Sequence, residues 1–81
     1  MLRYSRHARR RMTGRRISER EVEEAWTDRH VMSQEPGEAR RSGDVLIIRS
    51  TLRSGRRLKV IVAADDERFV ITVADQDEED Q

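Results

Sequence analysis

The stretch Val45-Leu46-Ile47-Ile48-Arg49-Ser50-Thr51-Leu52 is followed by Arg53-Ser54-Gly55, by Arg56-Arg57, and by Leu58-Lys59-Val60-Ile61-Val62-Ala63-Ala64. Two runs rich in branched residues around a short, glycine-containing link read as a β-hairpin. The odd loop Arg53-Ser54-Gly55 supplies glycine where a left-handed residue is needed. If Leu46, Ile48, Leu52, Leu58, Val60 and Val62 share the core face, the register is fixed, because a one-residue slip turns every side chain over. Arg49 then faces Lys59 across the strands on the opposite side, with Thr51 and Arg57. A third run, Phe69 to Ala74, follows the turn Ala64-Asp65-Asp66-Glu67. Short connections make the three strands an antiparallel meander. With Phe69, Ile71 and Val73 facing the core, Thr72 comes opposite Lys59. The expected row is therefore Arg49, Lys59 and Thr72. Adjacent like charges on a sheet cost stability, and such conflicts gather at functional sites. Neutralisation by acids elsewhere is the plain alternative.

Upstream, Ser18-Glu19-Arg20-Glu21 is a capping box, with Ile17 and Val22 as its hydrophobic staple. The helix it starts carries Val22, Ala25 and Trp26 on its apolar face and ends near Asp28 or Arg29. Trp26 reads as core rather than as a base-stacking platform. An earlier helix is expected over residues 5–14, with Ser5 as N-cap and Gly14 as the stop. Helical spacing gives it two stripes: Tyr4, Ala8 and Met12, and His7, Arg11 and Arg15. Residues 30–43 read as connection, with turns at Glu35-Pro36-Gly37 and Ser42-Gly43-Asp44. Val31 to Gln34 is a candidate edge strand, and His30 gets no role.

At 81 residues the chain is one small domain with a modest core. Pairing, even as a homodimer, would relieve that thin core. The composition, 35% hydrophobic and 41% charged, offers no membrane-spanning run and no signal-peptide pattern. It contains no cysteine. A cytoplasmic location is expected. Two distant histidines make no metal-ligand set, so no metal is expected. The turn Asp65-Asp66-Glu67 is acidic, as turns often are. Without a phosphate-cradling glycine loop, no cofactor is expected. The net charge of +1 conceals a polarity, because seven of the 17 lysines and arginines fall within the first 16 residues. Residues 75–81 hold five acids and no base. The expected organisation is a domain over 1–74 and a disordered acidic tail over 75–81. A basic head suits phosphate-rich partners.

The signature Ser5-x-His7-Ala8-x-x-Arg11-Met12-x-x-Arg15-x-Ile17-Ser18, with Val22, Ala25 and the later Ile71-Thr72-Val73, resembles the bacterial family catalogued as domain of unknown function 4258. That family is similar to RelE-like and BrnT-like toxins in the barnase-like nuclease group. The resemblance spans most of residues 4–74. One departure is Arg16, where the family's glycine is expected. The implied fold is α+β, with two N-terminal helices packed on a three- or four-stranded antiparallel sheet of RelE/barnase-like type.

Cleavage of RNA by its 2′-hydroxyl needs a proton carrier, cations on the phosphate and a proton for the leaving oxygen. Histidine exchanges a proton near neutrality, so His7 is the candidate carrier, with Lys59 and Thr72 as cation and hydroxyl donor. Arg11, Arg15, Arg49 and Arg57 are candidate phosphate contacts. The leading expectation is a toxin-like domain that binds RNA, with metal-independent cleavage of that RNA as the further expectation, its basic face covered by an acidic antitoxin-like protein. The alternative is a non-catalytic module docking its basic helix on an acidic partner. A DNA-reading pair of helices fits poorly, because the second helix is acidic.

Overall fold

A computed structural model describes residues 1–29, 31–36 and 43–79 of the chain. Strand β1 (Arg3–Tyr4) leads into helices α1 (Arg6–Arg15) and α2 (Glu19–Thr27). Strands β2 (Val31–Pro36), β3 (Asp44–Thr51), β4 (Arg57–Ala63) and β5 (Asp66–Asp75) follow, and a turn of helix α3 (Gln76–Glu79) comes last. His30 and much of the 30–43 connection lie outside the described residues.

The sheet has five strands in the order β1-β5-β4-β3-β2. It is mixed, not the three or four antiparallel strands expected. β1 pairs parallel with β5 through Arg3–Phe69 and Tyr4–Val70. Two residues are too few to show a strand period, so β1 escapes sequence reading. The candidate edge strand at Val31 forms and runs on to Pro36.

Both helices cover one face of the sheet. Ala8 and Met12 of α1 and Val22 and Ala25 of α2 join Ile48, Leu52, Leu58, Val60, Val62 and Val73 in one buried cluster, with Leu46 packed against it. The capping box is complete, since the Ser18 Oγ accepts from the Glu21 amide and the Glu21 carboxylate accepts from the Ser18 amide. The staple residues Ile17 and Val22 are both buried. Trp26 is half-buried at the margin of this core, where its Nε1 donates to the Glu67 carbonyl at 2.9 Å. The guanidiniums of Arg29 and Arg68 lie 4.2 and 4.9 Å from its ring centre.

Gly14 does not stop α1; the helix runs through it to Arg15. It ends in a Schellman turn, with the Ile17 amide donating to the Met12 carbonyl at 2.8 Å and the Arg16 amide to the Thr13 carbonyl at 3.4 Å. Arg16 takes the left-handed conformation at φ 55°, so the position where glycine was expected keeps glycine's geometry without glycine. Two substitutions follow from this inversion. Gly14→Ala adds a methyl with no atom within 4 Å and is expected to raise stability by about 0.5–1 kcal/mol. Arg16→Gly relieves left-handed strain, partly offset by a freer unfolded chain, for a gain of roughly 0.5 kcal/mol. Urea melts of both variants check this, and a loss in either would refute the reading of that turn.

Arg56, just before β4, ties four segments together. Its Nε and Nη2 fork onto the Asp75 carboxylate at 2.7 and 3.0 Å. Nη1 donates to Glu21 at 3.1 Å and to the Arg16 carbonyl at 3.0 Å, and Nη2 also donates to the Arg15 carbonyl at 2.9 Å. The last two acceptors are end-of-helix carbonyls that α1 cannot satisfy itself. The fork holds the Asp75 carboxyl below the usual carboxylate range. Glu21 is lowered as well, first by the Ser18 amide and then by Arg56. Asp75 is the last residue of β5, and Gln76–Glu79 follow as helix.

Candidate nucleic-acid interface

Alternation along β3 and β4 sends Leu58, Val60 and Val62 to the helices and Arg57, Lys59 and Ile61 to the opposite, helix-free face. The first hairpin has the expected register. Arg49 pairs with Lys59 and Thr51 with Arg57, and the Leu52 amide donates to the Arg56 carbonyl across the loop Arg53-Ser54-Gly55. Gly55 takes φ 95°, the left-handed role read for it. Two cations therefore stand side by side on adjacent strands, both half-buried.

The second hairpin corrects the expected row. Lys59 pairs with Ala74, and Thr72 pairs with Ile61, two positions further along. Two irregularities cause the shift. The turn is only Ala64-Asp65, because Ala63 already pairs with Asp66. β5 then carries three extra residues, 67–69, between the pairs Ala63–Asp66 and Val62–Val70, and one more, Ile71, between Val62–Val70 and Ile61–Thr72. This bulge reverses the facing of β5, so Val70 is fully buried in the core, and neither Phe69 nor Ile71 is. Thr72 keeps the helix-free face. Its Oγ1 is buried without a hydrogen-bond partner among the described residues.

The bulge is held by the start of α1. Ser5 Oγ accepts from the Ala8 amide at 3.0 Å and donates to the Ile71 carbonyl at 2.6 Å. The Ser5 amide donates to the Val70 carbonyl at 2.9 Å. Two turns on, Arg11 Nε donates to the Val73 carbonyl at 3.3 Å. The His7-Arg11-Arg15 stripe thus lies toward the outer edge of β5, where Arg11 satisfies a carbonyl that an edge strand would leave open. His7 is exposed on that edge, whereas Lys59 projects from the helix-free face one strand further in. Arg15 is half-buried beside the Arg56 cluster, which takes its carbonyl.

Of the seven residues read as site candidates, the structure brings Arg49 and Lys59 together, with Arg57 beside Lys59 on the same strand face. It places Thr72 two pairs away on the same face, and His7 and Arg11 at the sheet edge. Arg57 Nη1 is paired with Asp77 Oδ1 at 2.8 Å. Sequence reasoning missed Arg6 and Arg10, which are exposed on α1 four residues apart; the same periodicity that found the His7 stripe marks them. Tyr4, behind this helix, has its hydroxyl pushed up to about 12 by burial and then by the Glu23 and Glu19 charges.

Among the described residues no three potential metal-ligating side chains gather as around an ion. No helix of the described residues is long and apolar enough to cross a membrane. Comparison with curated proteins and with solved structures finds no match. The comparison with protein families does, and its matched region runs from Tyr4 through the last strand residue, taking in the edge stripe, the capping box and the cationic hairpin alike. The chain belongs to the family described as domain of unknown function (DUF4258), whose model matches residues 4–75.

Proposed function

We propose that the domain binds RNA across the helix-free face of its sheet, in the manner of a RelE-like or BrnT-like toxin domain with an acidic protein as its natural cover. The observation that supports this most is the Arg49–Lys59 pair, two half-buried cations directly opposed on adjacent strands. A phosphate seated between them would meet two positive charges from adjacent strands at once. Arginine offers a fork to phosphate oxygens and lysine a point charge. His7 at the β5 edge is the proton carrier if a bound strand is cut.

Binding of a short labelled single-stranded RNA, followed by anisotropy over a salt series, tests the reading. For single strands, log affinity falls with log salt by about 0.7 per neutralised phosphate. The double variant Arg49→Gln/Lys59→Gln is therefore expected to bind more weakly and to flatten that slope by roughly 1.4. An unchanged slope would remove this face from the interface. Cleavage is read on the same RNA by gel, with His7→Ala expected to abolish it.

A second reading has its own observation. Arg6, His7 and Arg10 are exposed on α1, and no acid lies within that helix. This surface suits an acidic protein partner, and Arg6→Glu/Arg10→Glu would abolish capture of such a partner while leaving the salt slope for RNA in place.

A further inference from the structure

We infer that the acidic C-terminal segment is a built-in competitor for the cationic face, docking where RNA phosphates would sit; this rests on the RNA-binding reading above. Asp75 is pinned to Arg56, which fixes where the segment leaves the sheet. α3 then packs against β4 and β5. Asp77 reaches Arg57, which shares its strand face with Lys59. Ala74, the cross-strand neighbour of Lys59, is only 4% exposed although it lies on the helix-free side. Glu78, Glu79 and Asp80 continue the run of acids beyond Asp77.

The contact suits a reversible cover. The side chains of Arg57 and Asp77 are 45% and 67% exposed, and exposed ion pairs are weak and screened by salt. A polyanion offering several phosphates at once can displace such a pair. The segment then lowers affinity without abolishing it and acts most strongly at low salt.

Two variants test this in the whole protein. One ends the chain after Gln76, keeping Asp75 on Arg56. The other keeps full length but carries Asp77→Asn, Glu78→Gln, Glu79→Gln and Asp80→Asn. Both are expected to bind single-stranded RNA about two- to fivefold more tightly than the parent at low salt, with the advantage shrinking as salt rises. Adding Arg57→Gln should weaken the shortened chain more than it weakens the parent, because only there is Arg57 vacant. Equal affinities for parent and variants would overturn the tail's role and leave the RNA reading standing. Binding by the variants but not by the parent would support the tail's role in its strongest form. If no chain binds RNA, both readings fall together.

Discussion

Changing Arg56 to glutamine is expected to lower the unfolding free energy by about 2–3 kcal/mol at neutral pH. Six hydrogen bonds converge on this guanidinium from Glu21, Asp75 and the carbonyls of Arg15 and Arg16. Losing a partner from a buried charge cluster ordinarily costs about 3–5 kcal/mol. The side chains here are 21–27% exposed, so water enters and the lower figure applies. For a domain of this size the midpoint of thermal unfolding should drop by roughly 10–20 °C. Arg56→Lys should recover only part of the loss, because a single ammonium cannot fork onto Asp75 while reaching the helix carbonyls. A loss below about 0.5 kcal/mol, typical of a surface substitution, would refute the clamp.

The same cluster sets the response to acid. Asp75 and Glu21 both have lowered folded pKa values, so their contribution is complete above the ordinary carboxylate range and is lost as pH falls through that range and below it. The parent should therefore lose stability steadily below about pH 5. In Arg56→Gln that acid dependence should flatten. Most of the flattening comes from Asp75, whose shift is due chiefly to Arg56, whereas Glu21 keeps the Ser18 amide. Urea midpoints across an acid series check this, and parallel curves for the two proteins would contradict it.

Ser5→Ala carries the second large effect, about 2–3 kcal/mol. An N-cap serine alone contributes around 1 kcal/mol. Here the hydroxyl also donates to the bulge carbonyl of Ile71, and a part-buried carbonyl left unpaired adds about 1–3 kcal/mol. Ser5→Asp separates the two roles, since it still accepts from the Ala8 amide but cannot donate to Ile71. It should fall between serine and alanine. Hydrogen exchange at Ala8 should quicken in the alanine variant and stay slow in the aspartate one. Identical stabilities for Ala and Asp would mean that the bulge contact matters and the cap does not, and an Asp variant as stable as the parent would mean the reverse.

Much of this architecture is legible in residues close together in the chain. Ser18 and Glu21 announce α2 because both halves of a capping box lie within one turn. Arg53-Ser54-Gly55 sets the first hairpin because its loop length and left-handed glycine leave one register. Arg49 therefore meets Lys59 as read. What escaped depends on distant partners. The Ile71 bulge is stabilised by Ser5, 66 positions away in sequence, and nothing local distinguishes Ile71 from an ordinary strand residue. That extra residue exchanged Phe69 and Ile71 for Val70 in the core, and together with the shorter turn and the irregularity at residues 67–69 it moved Thr72 off Lys59. Arg56 looked like one arginine among many, since its acceptors come from three other segments. Arg16 shows the converse: the sequence marked it as a departure, and the fold keeps the turn regardless.

The pairing of Arg3 and Tyr4 with Phe69 and Val70 has a consequence for biosynthesis. Arg3 and Tyr4 find their strand partner only after 66 further residues have been made, and at about 5–20 residues per second that wait is roughly 3–13 s. During it the arginine-rich amino end is translated with neither the Ile71 carbonyl nor any of the terminal acids yet made. Nascent chains of this protein should thus pass through a strongly cationic stage that lasts until the acids from Asp75 onward are made, and the long sequence separation of the closing contact makes it a late step in folding.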